Sequence, residues 1–325
     1  MTHSESSPLG GTGGGLSVIL CTYNGAAYLR PQLDSLLAQT LLPDEILIHD
    51  DGSTDATLAI AEEYAARHPF IRIVSNTGAH GINPNFFAAL RAARGEYIAI
   101  CDQDDLWEST KLEKQMSRIA EKGMIACLSQ PFSDDGRPVS TDTRPANLSP
   151  LRMMYVGMIP GHTMLIHRSL LDYVPRGLFF MYDLQLQLVA ALLGCITVVP
   201  EVLVHQRRHP QASTYLAPQS KLQMLRLAIS SYSELRPQVR RRFHEWELFL
   251  AAPESKALPV PPEVREMVHL QQGSGFLNYL RLTRFCLRHR HDILPSTQIR
   301  GLRAALFALA FPLTCVNYYR YFLKP

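Results

Sequence analysis

The first unbroken apolar run begins at Leu16, where LSVILCTYN reads as a buried strand that ends in a polar turn. Leu29, Leu33, Leu36 and Leu37 then recur at helical spacing between Ala27 and Gln39, and Pro31 is tolerable in a first turn. A second strand, EILIHD from Glu45 to Asp50, delivers DDGSTD, and Thr57 to Arg67 carries the next helical pattern. Phe70 to Ser75 reads as a third strand, the stretch from Asn85 to Arg94 as a helix, and EYIAIC as a fourth strand that ends abruptly in DQDD. Strands alternating with helices predict an α/β fold: a mostly parallel, Rossmann-like sheet flanked by helices, with ligand groups gathered at the carboxyl ends of the strands.

Beyond Gln130 the chain is rich in Pro, Ser, Asp and Thr up to Pro150 and reads as a loop. HTMLIH (a strand), Asp183 to Leu193 (a helix) and CITVVP (a strand) follow between Gly161 and Pro200. From Pro218 the pattern is helical to the end, broken by the Pro-rich ALPVPPE at Ala257. The expected organisation is a flexible leader over 1–15, an α/β domain over 16–217 whose halves divide after 130, and a helical C-terminal extension over 218–325.

Composition changes this picture little: 46% of the 325 residues are hydrophobic and 19% charged, as in an ordinary globular chain. A formal charge of +3 does not point to nucleic acid. Cys21, Cys101, Cys127, Cys195, Cys286 and Cys315 are scattered without a CxxC pair, which fits a reducing compartment rather than a zinc or disulfide framework. The leader MTHSESSPLGGTGGG has neither the basic start nor the apolar run of a signal peptide, so a cytoplasmic location is expected.

The candidate chemistry lies where the strands end. DQDD crowds Asp102, Asp104 and Asp105 together after a buried strand, and a divalent cation would remove their repulsion. Oxygen ligands suit Mg²⁺ or Mn²⁺, and a D-x-D turn can send one carboxylate to metal and the other to a ribose hydroxyl. The blander alternative is a solvated acidic turn capping a helix in LWESTKLEKQM. Thr22, Tyr23 and Asn24 end the first strand on the same rim, and Asp50 and Asp51 end the second. Asp51 can accept from a base or ribose and Tyr23 can lie against a ring, although DGSTD alone is as well explained as a turn with an N-cap. Asp183, at the start of an apolar helix, is either a cap or the base that deprotonates an acceptor hydroxyl. HQRRHP, expected just after a strand, offers Arg207, Arg208 and His209 to a diphosphate and its metal, or is simply a basic loop. There is no GxxxxGK[ST], and the leader GGTGGG precedes a strand instead of following one, which argues against a P-loop ATPase and against a GxGxxG dinucleotide site.

The segments LSVILCTYN, EILIHDDGSTD, SNTGAHGINPNF, ARGEYIAICDQDD, PGHTMLIHR, the Asp183 helix and RRHPQAS occur in the order seen in family 2 glycosyltransferases. The likeness covers Leu16 to Thr214 and is nearest to the bacterial rhamnosyltransferase-like subgroup. It implies a GT-A fold, an inverting transfer from a nucleotide-diphosphate sugar such as dTDP-rhamnose or a UDP-sugar, and Mn²⁺ or Mg²⁺ as cofactor. The resemblance implies further that Asp51 contacts the base, Asp102 the ribose and Asp104 the metal, with Asp183 as general base and His209 on metal or diphosphate. Thr22, Tyr23, Asn24, Asn76 and Asn85 would line the donor pocket. Tyr182-Asp183-Leu184-Gln185 departs from the His-Asp-Trp-Trp common in relatives, a change that bears on the acceptor.

Phe276 to Pro325 holds eight Lys or Arg residues and one acid, Asp292, among Phe, Leu and Tyr. The apolar run Ala304 to Val316 is too short to span a bilayer and fits insertion in the interface plane, with helices packed on the domain as the alternative. The resulting expectation is an enzyme of cell-envelope polysaccharide synthesis, peripheral on the cytoplasmic membrane face, acting on a glycan or lipid-linked glycan and binding no nucleic acid. The rival readings are a nucleotide-sugar binding protein without turnover and a nucleotidyltransferase.

Overall fold

The computed structural model describes residues 14–133, 146–157, 159–177, 180–208 and 221–322. Its first half is a β-α series: β1 (Leu16–Thr22), α1 (Ala26–Leu37), β2 (Glu45–Asp50), α2 (Thr57–Arg67), β3 (Ile71–Ser75), α3 (Ile82–Ala92) and β4 (Tyr97–Cys101). The middle holds β5 (Leu106–Trp107), α4 (Lys111–Met116), β6 (Met124–Ser133), α5 (Pro150–Met153), β7 (Leu165–His167), α6 (Tyr182–Leu192) and β8 (Ile196–Arg208). The C-terminal region is helical: α7 (Lys221–Ser230), α8 (Tyr232–Ala251), α9 (Pro262–Gln272), α10 (Gly275–Arg288), α11 (Arg290–Ile293) and α12 (Gly301–Thr314).

The eight strands form one mixed sheet in the order β3-β2-β1-β4-β7-β6-β8-β5. Pairing is parallel from β3 to β4 and between β6 and β8, and antiparallel where β7 and β5 join. Both faces are apolar because the strands are buried on both sides. In β1, Val18 and Leu20 point into a core shared with Leu29, Leu33 and Leu36 of α1 and Ile60 and Tyr64 of α2. Ile19 and Cys21 point the opposite way, into a core shared with α3 and α6. The helix series therefore changes face across β1 and β4, and the crevice at their carboxyl ends is the place where an open α/β sheet accepts a ligand.

Two expectations from sequence are corrected. HTMLIH is not a strand throughout: Gly161–Thr163 form a 3₁₀ turn and the strand begins at Leu165. HQRRHP does not follow a strand, because β8 continues through His205, Gln206, Arg207 and Arg208, paired with Gln130 to Ser133 of β6. Pro200 fails to end β8 because it sits where the β6–β8 register shifts, a position that needs no ladder N–H.

The C-terminal helices pack on the sheet face that carries α3 and α6. Phe243, Trp246 and Phe249 of α8, Met267 of α9, Phe285 of α10 and Phe311 of α12 are buried in the same core as Leu184 and Leu188 of α6. Trp246 Nε1 donates to the Met154 carbonyl at 2.9 Å, and its ring meets Phe180 edge-on at 4.8 Å. The segment Gly301–Tyr318 is long and apolar enough to cross a membrane by composition, yet Ala304, Ala308, Phe311 and Val316 are buried against the protein.

Candidate active site

The rim at the end of β1 and β2 is held by hydrogen bonds. Asp50 accepts from Thr22 Oγ1 (2.7 Å), Ser53 Oγ (2.6 Å), Gly52 N (3.0 Å) and Ser53 N (2.8 Å), so Asp50 and Thr22 shape the turn instead of facing a ligand. Asp51 accepts from Asn76 Nδ2 (2.7 Å) and Gly81 N (2.7 Å) and meets His80 Nδ1 at 3.0 Å. The loop 76–81 is thereby folded over Asp51. Asn24, in the left-handed region at φ 48, accepts from Thr54 N at 2.8 Å. Tyr23 is 57% exposed at the crevice mouth, with its ring available for stacking. Asn85 is not brought to this rim: it is buried, its amide donates to the His49 carbonyl at 3.0 Å, and its Oδ1 lies 2.6 Å from His49 Nδ1. It fastens α3 to β2.

Gln103, in the middle of DQDD, bridges the two strand ends: its Oε1 accepts from Tyr23 N at 2.9 Å and its Nε2 donates to Tyr23 O at 3.1 Å. A Cβ on Gly25 would collide with that amide, so a larger residue there would displace the Gln103 bridge. Arg207 clamps the other side. Its backbone N–H donates to Asp105 Oδ1 (3.1 Å), its Nε to the Asp104 carbonyl (3.2 Å), and its guanidinium lies 4.9 Å from the Tyr28 ring and 4.7 Å from that of Phe132. Arg208 ends β8, half-buried, opposite Ser133.

Asp102, Asp105 and His162 converge, with one potential ligand atom from each lying within 4.8 Å of the others. His162 Nδ1 is 3.4 Å from Asp102 Oδ2 and 3.5 Å from Asp105 Oδ2, and its Nε2 is 3.0 Å from Ser129 Oγ. Asp105 and His162 are buried while Asp102 opens toward solvent. Burial pushes the Asp105 carboxyl up to about 7, with His162 opposing and the charges of Asp102 and Asp104 adding to the rise. Burial pulls His162 down, but Asp105 and Asp102 outweigh it and leave the imidazole raised. Asp105 Oδ2 is buried with no hydrogen-bond partner, an acceptor that a cation would satisfy. Two carboxylates and an imidazole suit a transition ion such as Mn²⁺ better than Mg²⁺. Asp104 does not belong to this converging set, and His209 lies outside the described residues.

Asp183 stands in the first turn of α6, behind Met181, whose φ of 35° is strained for a side chain with a Cβ. The turn is held from several sides. Tyr182 N donates to Asn83 Oδ1 at 3.1 Å, the Tyr182 ring stacks on Phe86 at 4.2 Å, and Gln187 bonds both backbone groups of Ile159. Gly161 leaves room for the Tyr182 hydroxyl and Gly157 for the side chains of Leu184 and Gln187. Burial pushes the Asp183 carboxyl up to about 6; the N–H groups of Leu184 and Asp183 pull it down, the charge of Asp102 pushes it up, and Arg242 of α8 pulls it down. Tyr182 feels both Asp102 and Asp183, which ties α6 to the DQDD rim.

Sequence reasoning missed His162, Asp105 as more than a cap, His80, Arg242 and Lys111. Lys111 is fully buried beside DQDD, 3.5 Å from the centre of the Trp107 ring and 2.9 Å from Gln115 Oε1, and burial pushes it down to about 8. The signal for His162 was present in PGHTMLIHR, since an imidazole beside a Gly turn is a possible ligand, but its carboxylate partners lie far away in sequence.

Residues 17–173 match the model of glycosyl transferase family 2. An uncharacterized protein of Mycobacterium tuberculosis is 33% identical over 205 residues, 60% of this chain and 59% of that protein, so the chain spans about three fifths of that relative. The S. aureus protein TarS (residues 1–349), solved with UDP-GlcNAc, superposes with a TM-score of 0.52 at 20% identity, covering 94% of this chain and 89% of that one. A Pyrobaculum calidifontis mannosyltransferase solved with GDP-Man and Mn²⁺ gives a TM-score of 0.50 at 18% identity over 96% and 88%. These superpositions agree with a GT-A fold.

Proposed function

We propose that the chain is a member of glycosyl transferase family 2, whose model matches residues 17–173, and that it is an inverting transferase. It would move a sugar from a pyrimidine nucleotide-diphosphate donor onto a hydroxyl of a lipid-linked glycan. The observation that carries this reading is Asp183, in the first turn of α6: a carboxyl that burial raises to about 6, and that feels the charge of Asp102, is matched to taking a proton at neutral pH. The acceptor oxygen attacks the anomeric carbon as the bond to the diphosphate breaks. Its proton passes to Asp183, and the electron pair of the broken bond leaves with the diphosphate.

Asp51 supports the choice of a pyrimidine. A carboxylate has about four lone-pair sites, and three are taken by Asn76, His80 and Gly81, leaving one for the imide N–H of uracil or thymine. Tyr23 offers the ring face and Asp102 an acceptor for ribose. A divalent cation held by Asp102, Asp105 and His162, with Asp104 in the same turn, would offset the charge of the leaving diphosphate. Arg207, bonded to Asp104 and Asp105, and Arg208, next to it in β8, would add positive charge for the diphosphate. The rhamnosyl donor and a peripheral position on the cytoplasmic membrane face belong to this reading as its finer parts.

The test is calorimetry with UDP, dTDP and GDP, with and without Mn²⁺, on the wild type and on Asp105→Asn and Asp104→Asn. Metal-dependent binding of a pyrimidine diphosphate, lost in Asp105→Asn, is the expected result. Binding lost in Asp104→Asn alone would move the metal to that residue. No binding of any diphosphate would overturn the transferase.

A further inference from the structure

α10 and α12 pack against each other and turn opposite sides to the protein and to solvent. On α10, Leu282, Phe285 and Cys286 are buried, whereas Phe276 (74% exposed), Leu277 and Leu280 face outward. On α12, Ala304, Ala308 and Phe311 are buried, whereas Leu302 (75% exposed), Leu306 and Leu309 face outward. Each outward row follows helical spacing, so the apolar side chains form stripes and not isolated exposures. Two such stripes on neighbouring helices are the kind of exposed apolar surface that marks an interaction site.

The charge beside these stripes has one sign. Arg281, Arg284 and Arg288 of α10, Arg300 just before α12, and Arg303 within it are all exposed, and neither helix contains an acidic residue. Arg288 meets Glu266 of α9 at 3.4 Å; the rest of the row has no acid on its own helix to offset it. Apolar stripes rimmed by guanidinium groups fit an interface that is both apolar and negatively charged. A second copy of this basic face would repel it. The buried row of α12 is committed to the core, so this helix cannot cross a bilayer while the fold is intact, and its outward row can enter only the interfacial layer.

We propose that the outward face of α10 and α12 docks in plane on an anionic lipid surface, using Phe276, Leu277 and Leu280 with Leu302, Leu306 and Leu309 as the inserted groups. The inference deepens the peripheral-membrane reading and rests on it. Because α8 and α12 share a core with α6, docking through this face holds the Asp183 side of the crevice in a fixed relation to the membrane. That arrangement serves an acceptor carried on a lipid.

The test is co-sedimentation of the full chain with vesicles of phosphatidylcholine alone or mixed with phosphatidylglycerol. Two double variants are compared: Arg281→Glu with Arg284→Glu, and Leu302→Ser with Leu306→Ser. The wild type should bind the anionic vesicles and bind neutral ones far less. Each reversed arginine should weaken partition about fivefold or more, with the difference shrinking in high salt. The leucine pair should weaken binding to both vesicle types. A thermal melt of each variant reports that it is folded, and UDP binding is measured in the same preparations. Wild-type levels of binding in both variants, absence of binding to anionic vesicles, or self-association abolished by the same changes would each overturn the docking face. If vesicles bind and no nucleotide does, docking stands and the transferase reading fails; the reverse pattern sinks docking alone.

Discussion

Two groups of carboxylates crown the same sheet and are built in opposite ways. Asp50 and Asp51, after β2, accept four and three hydrogen bonds from neighbouring groups, and the turns at 52–53 and 76–81 are folded around them. Asp105 and Asp183, across the crevice, are pushed up by burial to about 7 and about 6, and one oxygen of Asp105 has no hydrogen-bond partner. Carboxylates of the first kind hold shape, with Asp51 keeping a single acceptor site for a ligand. Those of the second kind are desolvated, and Asp105 is also left short of a partner, a condition that costs stability and that a substrate proton or a cation relieves.

The sharpest way to break this contrast is Asp183→Asn. Turnover should fall about 10²- to 10⁴-fold, as for loss of a general base, with nucleotide binding retained. In the wild type the rate should rise with pH through about 6 and level off above it, because only the ionised carboxylate accepts the proton. Stability carries the complementary sign. A carboxyl whose folded value lies above its unfolded 3.8 binds protons more tightly when folded, so its contribution to stability falls as pH rises through that window. The asparagine variant should therefore melt at an equal or higher temperature near neutral pH. A variant that loses both activity and thermal stability would make Asp183 a structural cap.

Next in size is the cation. Mn²⁺ should raise the melting temperature of the wild type, as binding to the folded state alone contributes about 2.7 kcal/mol at a hundred times Kd. Asp105→Asn should weaken that effect by about tenfold or more in metal concentration, and His162→Gln likewise. An unchanged Mn²⁺ response in both would remove the buried trio from the metal site. On the other rim, Asp50→Asn leaves N–H groups of Gly52 and Ser53 facing an amide donor or without an acceptor. Its expected cost is about 1–3 kcal/mol in urea unfolding, with the acidic limb of the rate profile unmoved.

The same contrast explains what could be read in advance. β1 to β4 and the helices between them were legible, because strands buried on both faces give unbroken apolar runs and α1 and α2 show a clean helical period. The acidic strand ends were legible for the same reason: polar residues stop an apolar run visibly. The reach of β8 to Arg208 was not, since a proline inside a strand is normally a terminator and only the register shift opposite it makes Pro200 harmless. His162 and Asp105 depend on a pairing across distant segments, and no local pattern distinguishes a His that meets two carboxylates from one on a surface turn. Asn85 illustrates the opposite error, a polar residue expected at the pocket and found fastening a helix to a strand.

The smallest predicted effect tests whether the C-terminal helices belong to the chemistry as well as to the packing. Arg242 lies on α8 with its guanidinium 5.0 Å from the Phe180 ring and 2.9 Å from Glu245, and its charge pulls the Asp183 carboxyl down against the push of burial. Replacing it with Met keeps much of the apolar stem and removes the charge. Without that charge the neutral acid persists to higher pH, so the acidic limb of the rate profile should shift upward from about 6. The plateau at high pH should change little, and Arg242→Lys should restore most of the original midpoint. A merely structural role for Arg242 would lower activity at every pH and leave the midpoint where it was. The two outcomes separate a helix that supports the fold from one that also sets the proton affinity of the base, and only the second makes the C-terminal extension part of the active site.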